Sequence, residues 1–143
     1  MIVPYLLDTN TCSYVINKKP GHEAVVARMA ELRYGDLLLS SVVLAELQFM
    51  IANSGNPPAK SAAVNRFLAY LRRVDFDGDA AAAYGPLRSR LERMGNIIGP
   101  LDTLIAAHAL SLKATMVTNN TRHFAKVPGL GVENWYPDSR RGK

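Results

Sequence analysis

The stretch Tyr5-Leu6-Leu7-Asp8-Thr9-Asn10, led in by Ile2-Val3-Pro4, decides the fold. Its apolar residues form an unbroken run instead of alternating with polar ones, and the run stops at the polar cluster Asp8-Thr9-Asn10. Such a run suits a strand covered on both faces, as in a parallel sheet between helices. Further strands are expected at residues 36–40 after the turn signal Tyr34-Gly35, at 73–76 before Asp77-Gly78, and at 114–118 before Asn119-Asn120. A last one, over 131–134, is expected at an edge.

Helical patterns fill the intervals. Val25, Val26, Met29 and Leu32 share helix spacing over residues 22–32. Ser40 or Ser41 is placed to cap a helix over 42–52, and Pro57-Pro58 opens another with the apolar stripe Val64, Phe67, Leu68 and Leu71. Residues 79–94 form the next, interrupted at Gly85-Pro86, where the missing amide predicts a bend or two abutting helices. Pro100 suits the first turn of a helix over 101–112. Strands alternating with helices predict an α/β domain of βαβ units over residues 1–136, followed by a basic tail at 137–143.

Composition narrows the classes of function. A chain of 143 residues with 48% hydrophobic content is long enough to bury one core. Its single cysteine, Cys12, excludes an internal disulfide and a cysteine-based zinc site and fits a reducing compartment. No apolar run reaches membrane-spanning length and no leader pattern opens the chain, so a cytoplasmic protein without a membrane segment is expected. Seventeen Lys and Arg against 12 Asp and Glu leave a net charge of +5, which favours a polyanionic partner such as nucleic acid. Arg90 and Arg93 share a helical face and Arg122 follows the fourth strand; with His123 they are candidate contacts to phosphate.

Three acids stand where solvated surface residues are not expected. Asp8 ends an apolar strand, the place where ligands collect in open parallel sheets, although it could equally cap a short helix beginning near Asn10. Glu46 lies in Val42-Val43-Leu44-Ala45-Glu46-Leu47, a helix with little polar surface, so it occupies either one narrow exposed stripe or an interior cleft. Asp102, in Gly99-Pro100-Leu101-Asp102-Thr103, sits where a negative charge meets the positive end of a helix dipole. Each position is compatible with the crevice above a parallel sheet. Hard oxygen ligands of this kind suit Mg²⁺, with Mn²⁺ as an alternative, and a carboxylate-held ion of that type activates water against a phosphodiester. Thr9, Asn10, Thr118, Asn119 and Asn120 supply polar groups at the ends of the first and fourth strands, placed to orient ligands or water or simply to form a turn. His108, on an apolar helix, reads as a packing residue.

These motifs, taken in order, closely resemble PIN-domain proteins of the VapC type, the ribonuclease toxins of bacterial toxin–antitoxin pairs. The resemblance runs through Leu7-Asp8-Thr9-Asn10, residues 40–47 around Glu46, residues 99–110 around Asp102, Val117-Thr118-Asn119-Asn120-Thr121-Arg122-His123-Phe124, and Val127-Pro128-Gly129-Leu130 leading to Asn134-Trp135. It implies a three-layer α/β/α sandwich around a parallel five-stranded sheet, with Asp8, Glu46 and Asp102 as catalytic metal ligands. It also implies Mg²⁺- or Mn²⁺-dependent endonucleolytic cleavage of RNA, often transfer RNA, together with homodimerisation and inhibition by a small cognate antitoxin. Two positions depart from the family's pattern: Asn120 stands where many members carry a fourth acid, and His123 where close relatives often have Glu. That lost acidity leaves a single ion at rest as the preferred reading. It is also the one feature pointing to an alternative, a catalytically decayed RNA-binding or protein-interaction module; a carboxylate-metal phosphatase is the third option.

Overall fold

The computed structural model describes residues 3–137. Ile2, and the expected tail beyond Pro137, lie outside the described residues. The chain runs β1 (Tyr5–Leu7), α1 (Thr9–Ile16), α2 (His22–Ala30), β2 (Leu37–Ser40), α3 (Ser41–Ala52), α4 (Pro57–Leu68), β3 (Arg72–Val74), α5 (Gly78–Arg93), α6 (Pro100–Ser111), β4 (Thr115–Val117), α7 (Thr121–Phe124) and β5 (Val132–Glu133). The five strands form one parallel sheet in the order β3-β2-β1-β4-β5, and helices cover it as an α/β/α sandwich. No helix among the described residues is long and apolar enough to cross a membrane.

The unbroken apolar run is explained by its place. β1 is the central strand, with Leu6 beside Leu38 on one side and Met116 on the other, and both Leu6 and Leu7 are fully buried. From β1 the chain moves outward to β2 and β3, then crosses back through α5 and α6 to β4 on the opposite flank. Strand order therefore reverses at β1. Carboxyl-terminal strand ends at such a switch point leave a crevice that no connection covers.

The caps follow the local chemistry. Ser40 accepts the Val42 amide at 3.1 Å and starts α3, while Ser41 instead takes the Phe76 amide at 2.9 Å and draws the chain off the sheet after β3. That contact explains why β3 spans Arg72–Val74 and not the expected 73–76. Asn56 caps α4 ahead of Pro57. α5 runs as one helix through Pro86 and not as two abutting helices. Ala82 and Pro86 are both exposed, so the carbonyl that loses its amide partner faces water and the helix continues.

Candidate active site

Asp8 follows β1 directly and is only 3% exposed. Its Oδ1 accepts the Thr11 amide at 2.8 Å, which caps α1, and its Oδ2 accepts the Thr118 hydroxyl at 2.6 Å from the end of β4. Capping and facing the crevice are thus two uses of one carboxylate. Burial raises the Asp8 carboxyl above its ordinary range; the Thr118 and Thr11 hydrogen bonds pull it back, and the negative charge of Asp102 pushes it further up.

Glu46 reaches the same crevice from the second turn of α3, half-buried, with Oε1 accepting the Thr9 hydroxyl. Asp102 comes from the first turn of α6, behind Gly99, whose φ of +95° is a conformation that favours glycine. Its Oδ2 takes a hydrogen bond from His123 Nε2 at 2.9 Å. Asp8, Thr9, Asn10, Glu46, Asp102, Asn120 and Phe124 together line a cleft of about 190 Å³.

Three carboxylates share this cleft and no Lys or Arg lines it. Asp102 Oδ1 and Glu46 Oε2 carry no hydrogen bond among the described residues. Also among the described residues, no three Asp, Glu, His or Cys side chains are gathered tightly enough to form a ready-made ion cage. The acids stand around the cleft, each held by its own neighbour. The donor set nonetheless fits a hard divalent cation: all-oxygen, anionic, with two unspent oxygens and a buried carboxylate whose charged form burial disfavours.

The remaining expected residues divide. Thr118 is buried and bridges Asp8 to the Asn120 amide, which donates to Thr118 Oγ1 at 2.9 Å. Asn119 lines not the acidic cleft but a neighbouring pocket. Arg90 lies on a separate shallow cleft with Pro86, Leu110 and Pro128, and the exposed Arg93 and Arg122 line neither the acidic cleft nor the pocket beside it. Thr11 and Phe124 were not singled out in the sequence, though Phe124 ends a motif that was. The Thr11 amide meets Asp8 through the local cap that an Asp ahead of a short helix predicts.

A buried polar pair also joins α6 to the end of β2. His108 is fully buried on α6, with Nδ1 2.8 Å from Ser40 Oγ and its ring edge-on to Phe76, while Nε2 has no partner among the described residues. Burial lowers its pKa below the usual 6.5. The folded state therefore binds the proton less tightly than the unfolded chain, so stability is held above pH 6.5 and falls as pH drops through the depressed value. Wild-type melting temperature is expected to fall between pH 7.5 and pH 5 more steeply than that of His108→Gln. Parallel slopes in thermal melts would contradict this reading of His108.

With the site in view, comparison with known proteins separates a nuclease from other carboxylate centres. A model of the PIN domain matches residues 5–130. The Ribonuclease VapC2 of Rickettsia felis is 41% identical over 132 residues, 92% of this chain and 97% of that protein. The chain belongs to the PIN-domain family, among its VapC-type ribonuclease toxins. A tRNA(fMet)-specific endonuclease VapC of Salmonella typhimurium is 37% identical over 134 residues, 94% of this chain and 99% of that one. The solved VapBC2 complex of Rickettsia felis, bound to a DNA fragment from its promoter, aligns with a TM-score of 0.84 at 40% identity, covering 93% of this chain and 99% of that one. DNA-bound VapBC from Salmonella typhimurium aligns at 0.86 with 37% identity, covering 94% and 99%. Membership of this family implicates a mechanism that depends on a divalent metal.

Proposed function

We propose that Asp8, Glu46 and Asp102 hold a single Mg²⁺ (or Mn²⁺) in the resting PIN-domain cleft, and that the RNA cut there is transfer RNA. The observation that carries this reading is the cleft itself: three carboxylates from three elements, with no Lys or Arg among its lining residues. When bound, such an ion supplies a Lewis acid that screens phosphodiester charge and acidifies water. The chain's own residues do the positioning. Thr11 and Thr118 fix the Asp8 carboxylate in one orientation, Thr9 does the same for Glu46, and His123 for Asp102. Asp102 Oδ1 and Glu46 Oε2 are left for the cation. Asn120 makes no side-chain cap to α7 and stands at the rim, where its neutral amide orients water or a phosphate oxygen without adding charge. His123 supplies a donor where a relative's Glu would add an acid, which supports one resident ion.

Transfer RNA is favoured by the Salmonella relative, a tRNA(fMet)-specific endonuclease, and by the net charge of +5. Purified protein free of any antitoxin, incubated with Mg²⁺, is expected to nick transfer RNA at a discrete position and to leave an unstructured RNA of equal length uncut. Intact transfer RNA beside a cut control would overturn the substrate assignment.

The partner proposed is a small antitoxin. An apolar groove of about 470 Å³ between α1, α2 and α4, lined by Val15, Ile16, Val26, Met29, Phe67 and Tyr70, suits an amphipathic segment of such a protein. Val26 is 42% exposed, so a charge there leaves the core intact. Val26→Asp is expected to weaken capture of the co-expressed antitoxin by roughly 10-fold or more, as a charge left in an apolar pocket predicts, while RNA cleavage persists. Unchanged affinity by calorimetry would reject the groove. Homodimerisation completes the proposal, supported by the exposed Met94, Ile97 and Leu101 at the α5–α6 junction. Leu47 is fully buried and serves the core.

A further inference from the structure

Beside the acidic cleft lies a larger pocket of about 590 Å³, lined among others by Asn10, Asn119, Asn120, Lys19, Tyr14 and Tyr136. It shares Asn10 and Asn120 with the cleft, so a chain occupying one passes directly into the other.

Its lining is unusual in what is left unspent. None of the three asparagine side chains makes a hydrogen bond among the described residues, and Asn120 heads α7 without capping it, whereas Asn56 does cap α4. Amides that neither cap nor brace are free to pair with a ligand, each offering a donor pair and an acceptor. Lys19 is exposed and has no carboxylate within ion-pair distance among the described residues.

The aromatic wall, by contrast, is fixed. The Tyr14 and Tyr136 rings lie 4.3 Å apart between centroids. The Tyr14 hydroxyl donates to the Pro20 carbonyl, and the Tyr136 hydroxyl donates to Thr11 Oγ1 at 3.3 Å. The α1–α2 turn closes against this wall at Gly21. A Cβ there would stand 2.6 Å from Pro137 Cγ and 2.7 Å from Tyr14 Oη, and φ is +92°, so glycine is required.

A rigid aromatic wall, three free amides and one ammonium form a set that recognises an unpaired nucleotide. The ring faces stack a base, amides read its edge, and the ammonium meets phosphate. The volume falls within the range of small-ligand pockets. We propose that this pocket is a nucleotide subsite, receiving one unpaired ribonucleotide of the RNA next to the phosphodiester held in the acidic cleft. The proposal rests on the ribonuclease reading of that cleft. It gives Asn10, Asn119 and Lys19 a role in choosing where the RNA is cut.

The test uses the full chain, free of antitoxin and labelled with ¹⁵N, in buffer containing EDTA so that binding is seen apart from cleavage. Each of the four ribonucleoside 5′-monophosphates is titrated in turn, with inorganic phosphate and a poly-glutamate peptide as comparisons. At least one nucleotide is expected to shift the side-chain amide signals of Asn10, Asn119 and Asn120 saturably, with neither comparison reproducing the pattern. Asn119→Asp and Lys19→Glu, both at exposed positions, are expected to weaken that nucleotide about 10-fold, since each sets a negative charge against phosphate. In RNA cleavage the loss falls on KM more than on kcat. Equal shifts with phosphate or peptide, or no shift at all, would overturn the subsite. So would wild-type KM in both variants of a protein that cuts RNA, leaving the ribonuclease reading intact. Nucleotide binding by a protein that cuts no RNA would instead count against that reading alone.

Discussion

Asp102→Ala protein is expected to cleave RNA at least 100-fold more slowly than wild type while remaining folded. Loss of a group that merely braces a ligand costs about 10–100-fold, and Asp102 is proposed to supply the ligand itself. Fold integrity follows from its setting. Asp102 is half-exposed in the first turn of α6, where its interaction with the helix dipole stabilises by about 0.3–1 kcal/mol. Removing its charge also relieves Asp8, whose carboxyl the Asp102 charge pushes up. The two effects oppose one another, so the melting temperature should move by no more than about 3 °C. Asp102→Asn, which keeps the shape and an acceptor for His123, is expected to be equally inactive. Activity in either variant within threefold of wild type would remove Asp102 from the reaction centre.

The second large effect divides two variants at one position. Asp8→Asn and Asp8→Ala should both lose cleavage, yet their stabilities should move apart. The Asp8 carboxyl is raised by burial, so the folded chain holds that proton more tightly than the unfolded one does. The stabilising contribution is therefore complete below pH 3.8 and is lost as pH rises through the elevated value, leaving the ionised carboxylate as a net cost at pH 7 without metal. Asparagine removes the charge, keeps an oxygen for the Thr11 amide and turns its NH2 to Thr118 Oγ1, which then accepts instead of donating, so metal-free Asp8→Asn should melt at or above wild type. Alanine removes the cap as well, at about 0.5–2 kcal/mol, and leaves the Thr118 hydroxyl without its buried acceptor. Millimolar Mg²⁺ should raise the melting temperature of wild type and of neither variant, because binding to the folded state alone stabilises it. A metal-free Asp8→Asn that melts well below wild type would show that the carboxylate is held for stability and not for a cation.

Much of the frame could be read from the chain because short-range chemistry determined it. The unbroken run before Asp8, the cap at Ser40, and the prolines at residues 57 and 100 act within a few residues. α1 was harder. Its sequence Thr-Asn-Thr-Cys-Ser-Tyr-Val-Ile is rich in residues of poor helix propensity, and it forms because Asp8 caps it and packing buries Thr11, Cys12 and Ile16. α7 is four residues long, too short for any periodicity to register. The three acids could be picked out one at a time, but their bracing could not. Thr9 meets Glu46 across 37 positions, His123 meets Asp102 across 21, and Thr118 meets Asp8 across 110. The last of these exists only once β1 and β4 lie side by side. The same folding separates Asn119 from the acidic cleft and carries Arg90 onto another face, although neighbouring residues in the sequence suggest otherwise.

The central claim is that Asp8, Glu46 and Asp102 converge on one divalent cation at the switch point of the sheet. Crystals of the protein grown with Mn²⁺ and measured at the manganese absorption edge test it most directly. One anomalous peak is expected in the cleft, within about 2.0–2.3 Å of oxygens from all three side chains, the range of hard cation–carboxylate bonds. An empty cleft at saturating Mn²⁺, or a peak held by other residues, would contradict it.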